Sequence, residues 1–305
     1  MLKDDFLHYI GSERNYSERT LKTYNQSLTL FQRYMEAQGR PIDWTAVEEG
    51  DIREWMVAMM NNGSAPTTVN NRLSALRSFY RFLIGRDLTR HDPTQRIEGP
   101  KKQKPLPHFI KESEMDRLLD HTAFPDTYEG HRDHAILQLF YTTGMRLAEL
   151  VGLDTGDIDF GNHTVKVTGK RNKQRIIPLV PETETELREY LRVRHQMFHD
   201  VPHDDALFIG SRARRIKRYH VEDIVKNYLG SVTTQQKRSP HVLRHSFATA
   251  MLNHGAEISV VKELLGHESI STTEIYTHTT FEELKRIYRQ AHPHSDAPPD
   301  ECGQT

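Results

Sequence analysis

Apolar positions in the first hundred residues recur at steps of three and four, the spacing of one face of a helix. Leu21, Tyr24, Leu28, Phe31 and Met35 mark such a face within residues 17–39, where Ser17 is placed to cap the first turn and Gly39 to end the last. Asp51 is expected to open a second helix through Trp55, Met56 and Met59, ending at Asn62 and Gly63. Val69, Leu73, Leu76, Phe79, Tyr80 and Leu83 trace a third over residues 67–84, stopped by Gly85. Amphipathic helices with aromatic-rich faces predict a small bundle. From residue 92 to 107 the period stops. The stretch DPTQRIEGPKKQKPLP has four prolines and reads as a stiff, basic linker.

Beyond residue 108 the pattern is mixed. A helical stretch covers residues 133–141, TTGMRLAELVGL starts another, and DIDFGNHTVKVTGKRNKQRIIPL alternates as strands do. Breaks at Gly161-Asn162 and over residues 170–173 divide it into a three-stranded meander with a lysine-rich tip. Helical spacing resumes over residues 183–198, 220–229, 240–253, 258–265 and 281–292. Ser271 and Glu274 have the capping-box spacing, so a further short helix is expected to carry Tyr276. The fold class expected is mainly α with a small antiparallel β-sheet. The bundle spans residues 1–91, the linker 92–107 and the mixed domain 108–292, and the polar stretch 293–305 is expected to be a disordered tail.

A chain of 305 residues is long enough for two domains with separate cores. It is 36% hydrophobic and 27% charged, and no apolar run approaches the ~18 residues of a membrane span, so no membrane partner is expected. The acidic N-terminal stretch does not resemble a secretory signal, which points to the cytoplasm. Cys302 is the one cysteine, which leaves no disulfide framework and no Cys-based metal site or nucleophile. A net charge of -1 argues against a nucleic-acid partner until its distribution is considered. Residues 72–104 hold nine Lys/Arg against three acids, and residues 165–175 and 211–219 hold five Lys/Arg each with no acid. Outside these segments 22 basic residues face 39 acidic ones. Positive charge is therefore concentrated in three places.

Ser239 and Pro240 start a helix that sets His241, Arg244 and His245 at i, i+3 and i+4, on one face. Histidines at that spacing can ligate a metal, with His267 as a third ligand. The metalloprotease pattern, however, needs a Glu after the first His, where Val242 stands, so a structural pair fits better and no metal is expected. His267 follows the helix-ending Gly266, and Tyr276 comes nine positions later. By itself that tyrosine reads as core filler.

The motifs TGMRLAEL (143–150), GKRNKQR (169–175), HVLRH (241–245) and LGH (265–267) with Tyr276 beyond them are jointly more specific than any one of them. Their order and approximate spacing resemble the tyrosine recombinase (phage integrase) family over the whole mixed domain. The N-terminal bundle resembles that family's core-binding, SAM-like domain. The resemblance implies DNA strand exchange through a 3′-phosphotyrosyl intermediate and a Holliday junction, with Tyr276 as the nucleophile and no cofactor. It places Arg146 and Arg244 on the nonbridging oxygens of the scissile phosphate, where guanidinium forks stabilise the charge that develops on attack. It makes Lys170 the acid for the leaving 5′-oxygen, sets His241 at the tyrosine's proton and His267 on the phosphate, and gives Glu149 and His245 supporting places. Arg171 stands where the family often has glycine, and Lys173 competes for the role of Lys170. Candidate DNA contacts are Arg72, Arg77, Arg81, Lys101, Lys102, Arg171, Lys173, Arg214 and Arg215.

Compact length and close motifs most resemble the bacterial Xer recombinases. That implies a double-stranded recombination site, a tetramer formed with copies of itself or with a paralogous recombinase, chromosome dimer resolution before cell division, and a DNA translocase as partner. A mobile-element integrase lacking an arm-binding domain, a type IB topoisomerase and an inactive DNA-binding homologue are the alternatives. Finally, Phe281, Leu284, Ile287 and Tyr288 form an apolar stripe. It either folds back on its own domain or, as the resemblance implies, docks into a neighbouring protomer.

Overall fold

The computed structural model describes residues 2–101, 109–169, 172–201, 204–266, 287, 288 and 290–292. The chain divides into two compact units, Met1–Pro105 and Leu106–Thr305. In the first, α1 (Leu2–Ser12), α2 (Glu18–Ala37), α3 (Glu49–Asn61) and α4 (Pro66–Gly85) surround an aromatic core. Ser17 caps α2 by accepting the Thr20 N–H at 3.3 Å, and the chain leaves the helix through Gly39 at φ +71°. Asp51 does not open α3 but sits in its first turn, where it accepts the Glu48 N–H at 2.9 Å. Phe31 packs edge-on against Trp55 at 5.0 Å, Trp44 against Phe79 at 4.8 Å, and the Tyr80 hydroxyl donates to Trp44 O at 3.0 Å. Burying such side chains stabilises the bundle by roughly 1.5–3 kcal/mol each.

The segment expected to start the linker belongs to this unit. Ile97 is buried in the same core, Thr94 is buried with its N–H on Asp92 Oδ1 at 2.8 Å, and Asn70 donates to Pro100 O at 2.9 Å. Single residues held by such turns leave no period for a sequence pattern to show.

The second unit contains α5 (Glu112–Leu119), α6 (Tyr128–Thr143), α7 (Leu147–Gly152), the strands β1 (Ile158–Asp159), β2 (Thr164–Thr168) and β3 (Gln174–Pro178), α8 (Pro181–Phe198), α9 (Arg218–Val232), α10 (Pro240–Asn253) and α11 (Ile258–Leu265). The strands form the expected antiparallel meander in the order β1-β2-β3, with Val167 opposite Arg175. Helix α6 is central and packs against α8 and α10. It is buried on nearly every side from Ala135 to Thr143, whereas its first turns, residues 129–134, carry no apolar side chain, so no apolar period marks its start at Tyr128. Its cap is Thr127, which accepts the Gly130 N–H at 3.2 Å. Two-turn α5, too short for a clear period, is absent from the sequence reading.

Residues 287, 288, 290 and 291 are helical, and Tyr288, Ala291 and His292 are buried in this unit's own core. The Tyr288 hydroxyl donates to Thr142 O at 2.6 Å. In this single chain the C-terminal part of the apolar stripe packs on its own unit. Phe281, Leu284 and the short helix expected at Ser271 lie outside the described residues. Among the described residues no helix is long and apolar enough to cross a membrane.

Candidate active site

Helix α6 ends at Gly144 in the left-handed region, φ +59°, and only glycine fits. A Cβ there would lie 2.3 Å from the Phe247 ring and 2.8 Å from Leu265. Two residues on, Arg146 is the N-cap of α7. Its backbone N–H donates to Glu149 Oε2 at 2.7 Å and its guanidinium Nη1 to Glu149 Oε1 at 2.8 Å. Arg175, on β3, closes a fork on the same carboxylate with Nη1 to Oε1 and Nη2 to Oε2, both at 2.9 Å. The Glu149 side chain is 2% exposed. Burial alone would raise its pKa, but the Arg175 fork and the Arg146 backbone and side-chain donors outweigh it and hold the carboxyl down at about 2.

The same arginines gather the end of α11. Three successive carbonyls there each accept from a different guanidinium: Leu264 from Arg175 Nε at 2.8 Å, Leu265 from Arg244 Nη2 at 2.7 Å, and Gly266 from Arg146 Nη2 at 3.0 Å. A helix C-terminus leaves such carbonyls without intrahelical partners and carries partial negative charge, so cations belong there. Gly266, at φ +62°, lets the chain leave, and a Cβ on it would meet Arg175 Nη1 at 3.1 Å. Arg244, on α10, is buried and also donates from Nη1 to Gly144 O at 2.7 Å. Burial first, then the neighbouring Arg146 and Arg175 charges, pull its pKa down to about 10, with Glu149 opposing. It remains a cation at neutral pH.

Of the residues singled out by motif, the structure brings Arg146, Glu149 and Arg244 together. His241 and His245 share α10 with Arg244, but Arg244 turns into the core, His241 is exposed and His245 is half-buried. Lys170, Arg171, His267, Tyr276 and Lys102 lie outside the described residues. Their chain neighbours bear on where they attach. Gly169, before Lys170, closes the hairpin tip by donating to Lys173 O at 2.7 Å, and its Cβ would lie 3.3 Å from Glu149 Oε1. Gly266, before His267, carries the carbonyl bonded to Arg146. Lys173 is exposed at that tip.

The DNA-contact candidates divide. Arg81 and Lys101 are exposed, and the Arg214 side chain is 79% exposed beside Asp204. Arg72 is half-buried, with Nη1 3.0 Å from Met59 Sδ. Arg77 donates to Ile97 O, and Arg215 donates from Nη1 to Val151 O and Leu153 O at 2.9 Å each and pairs with Asp154. Arg77 and Arg215 hold loops within their own units, an arrangement a run of positive charge does not reveal. Arg175, the member of the hairpin's basic run that reaches Glu149, is absent from the sequence-based site. Nothing in the run distinguishes it, because its partner acid lies 26 residues away in sequence.

Residues 108–283 match the phage integrase family and residues 4–87 the N-terminal SAM-like domain of phage integrases. The tyrosine recombinase XerC of a Roseiflexus species is 41% identical over 281 residues, covering 90% of this chain and 87% of that protein. Tyrosine recombinase XerD of Oceanobacillus iheyensis is 35% identical over 291 residues, covering 95% of this chain and 97% of the relative. Among solved structures, XerH site-specific recombinase bound to a palindromic difH substrate superposes with a TM-score of 0.71 at 21% identity, over 93% of this chain and 83% of that one. The Tn1549 transposon integrase in complex with circular-intermediate DNA gives 0.68 at 20% identity, over 93% and 98%. At those identities the likeness speaks for the fold. Both units are matched and the relatives span nearly the full chain: the protein belongs to the phage integrase family of tyrosine recombinases, enzymes that cleave and rejoin DNA strands.

Proposed function

We propose that this chain is an Xer-type site-specific recombinase that exchanges strands between two duplex sites, resolving chromosome dimers in the cytoplasm before cell division. The observation that carries the reading is the meeting of Arg146 and Arg244, from separate elements, at one helix end from which the chain continues into His267 and Tyr276. The printed names of the relatives, XerC and XerD at 35–41% identity, favour it over a mobile-element integrase.

In the proposed reaction the Tyr276 hydroxyl attacks the scissile phosphorus while its proton passes to His241. A tyrosine–phosphorus bond forms, and the bond to the 5′-oxygen breaks. That oxygen takes a proton from the hairpin lysine, Lys170 or its neighbour Lys173. Negative charge growing on the nonbridging oxygens is met by half-exposed Arg146 and buried Arg244, both held in place by backbone carbonyls, and by His267. A 5′-hydroxyl from the partner duplex then reverses the chemistry and leaves a Holliday junction. The assembly is a tetramer on DNA, made with copies of this chain or a paralogous recombinase, with a DNA translocase as a further partner.

A nicked duplex that loses its 5′-fragment on cleavage tests the reading. The protein should become covalently attached to the DNA 3′-end, and Tyr276→Phe should bind the duplex yet form no adduct. An adduct formed by Tyr276→Phe would move the nucleophile elsewhere.

A further inference from the structure

We infer that Arg175 is a positioning residue for strand cleavage: its guanidinium clamps Glu149 and the end of α11 together, and through them sets Arg146 and the chain that continues into His267. This rests on the recombinase reading above and adds to it a residue that touches no DNA. The Arg175 side chain is 16% exposed. Three of its donors are engaged inside the protein, two on Glu149 and Nε on Leu264 O. A guanidinium so occupied has no fork left for a phosphate, which separates it from Arg146, whose side chain is 40% exposed. It also joins three elements. It stands on β3, two residues after Lys173 at the hairpin tip. It grips the carboxylate that holds Arg146 by both backbone and side chain, and it caps the helix whose next two carbonyls bind Arg244 and Arg146.

The clamp predicts a specific failure. The charged groups facing Glu149 are Arg146 on its own helix, Arg175 from β3 and Arg244 from α10. With Arg175 gone, burial again opposes the charged carboxylate and fewer donors resist it, so Glu149 takes up a proton at higher pH than in the intact site. A protonated Glu149 releases part of its hold on Arg146. Cleavage then gains a pH dependence, through Glu149, that the intact site lacks.

The test uses the full-length protein and the same nicked duplex, with adduct formation followed in single turnover from pH 7.5 to pH 5 and melting temperatures measured for every variant. Arg175→Met should react at least about 10-fold more slowly at pH 7.5 and lose roughly a further threefold towards pH 5, beyond any loss in the wild type. Arg175→Lys keeps the charge without the fork and should recover part of the rate. Adding Glu149→Gln to Arg175→Met should remove the extra pH limb, because Gln cannot titrate. A purely structural arginine would lower the melting temperature without adding that limb. A missing limb in Arg175→Met, or one that survives in the double variant, overturns the inference. If Arg175→Met does not fold, Arg175→Lys decides: slower cleavage is expected, and a wild-type rate overturns the inference. A wild-type protein that forms no adduct would sink the recombinase reading instead. The clamp is then read from melting, where Arg175→Met should cost more at pH 7 than at pH 3 and an equal loss at both overturns it.

Discussion

Glu149 shows what a motif conveys and what it leaves out. Its place three residues after Arg146 was legible as a supporting acid, but its burial and its four donors were not, because two of those come from Arg175 on another element. Its ionisation is a stability statement. The carboxyl has a folded pKa of about 2 against an ordinary 4.5, so it binds its proton less readily in the folded chain. Stability from this group is therefore fully present above about pH 4.5 and is lost as pH falls through 2. The side chain is 2% exposed, so little is lost to solvent screening, and the shift corresponds to about 3 kcal/mol. Glu149→Gln should lower the melting temperature at pH 7, and the gap to the wild type should narrow as pH is brought from 5 to 2.5. A gap that stays constant with pH would mean the carboxylate contributes no ionised pairing.

Elements with a one-sided stripe, such as α2 and α4, and the meander with its alternating strands, were readable because one face meets the core and the other meets water. Helix α6 was readable only from Asp133 on, because residues 129–134 carry no apolar side chain to set a period, and the C-terminal stripe was readable as buried without revealing by whom. In this chain Tyr288 is fully buried, and its hydroxyl closes on Thr142 O at 2.6 Å, near the end of α6. Tyr288→Ala should therefore destabilise the isolated chain by roughly 3–5 kcal/mol, the range for removing a buried aromatic ring. Urea unfolding at several protein concentrations checks it. A loss that appears only at high concentration would place the ring in a neighbouring copy.

At the scale of the whole molecule the sequence poses a conflict: a chain of net charge -1 that acts on a polyanion. Concentrating 19 of its 41 Lys/Arg in three segments offers a resolution, yet position in a basic run does not say which side chains meet phosphate. Their exposure and internal partners differ in the folded units. Arg81 on α4 is exposed, whereas Arg215 donates to the Val151 and Leu153 carbonyls and is half-buried. Each phosphate neutralised releases condensed counterions and steepens the fall of log K with log salt by about 0.9. Arg81→Ala should therefore flatten the salt slope of half-site binding by roughly one unit and leave the melting temperature alone. Arg215→Ala should do the reverse. Its loss strands two carbonyls, which costs on the order of 1–3 kcal/mol if they stay dry, while the slope is unchanged. Fluorescence anisotropy from 50 to 300 mM salt, paired with melting curves, separates the two. A flattened slope in Arg215→Ala with no loss of stability would return that residue to the DNA surface and break the division between stapling and phosphate-binding arginines.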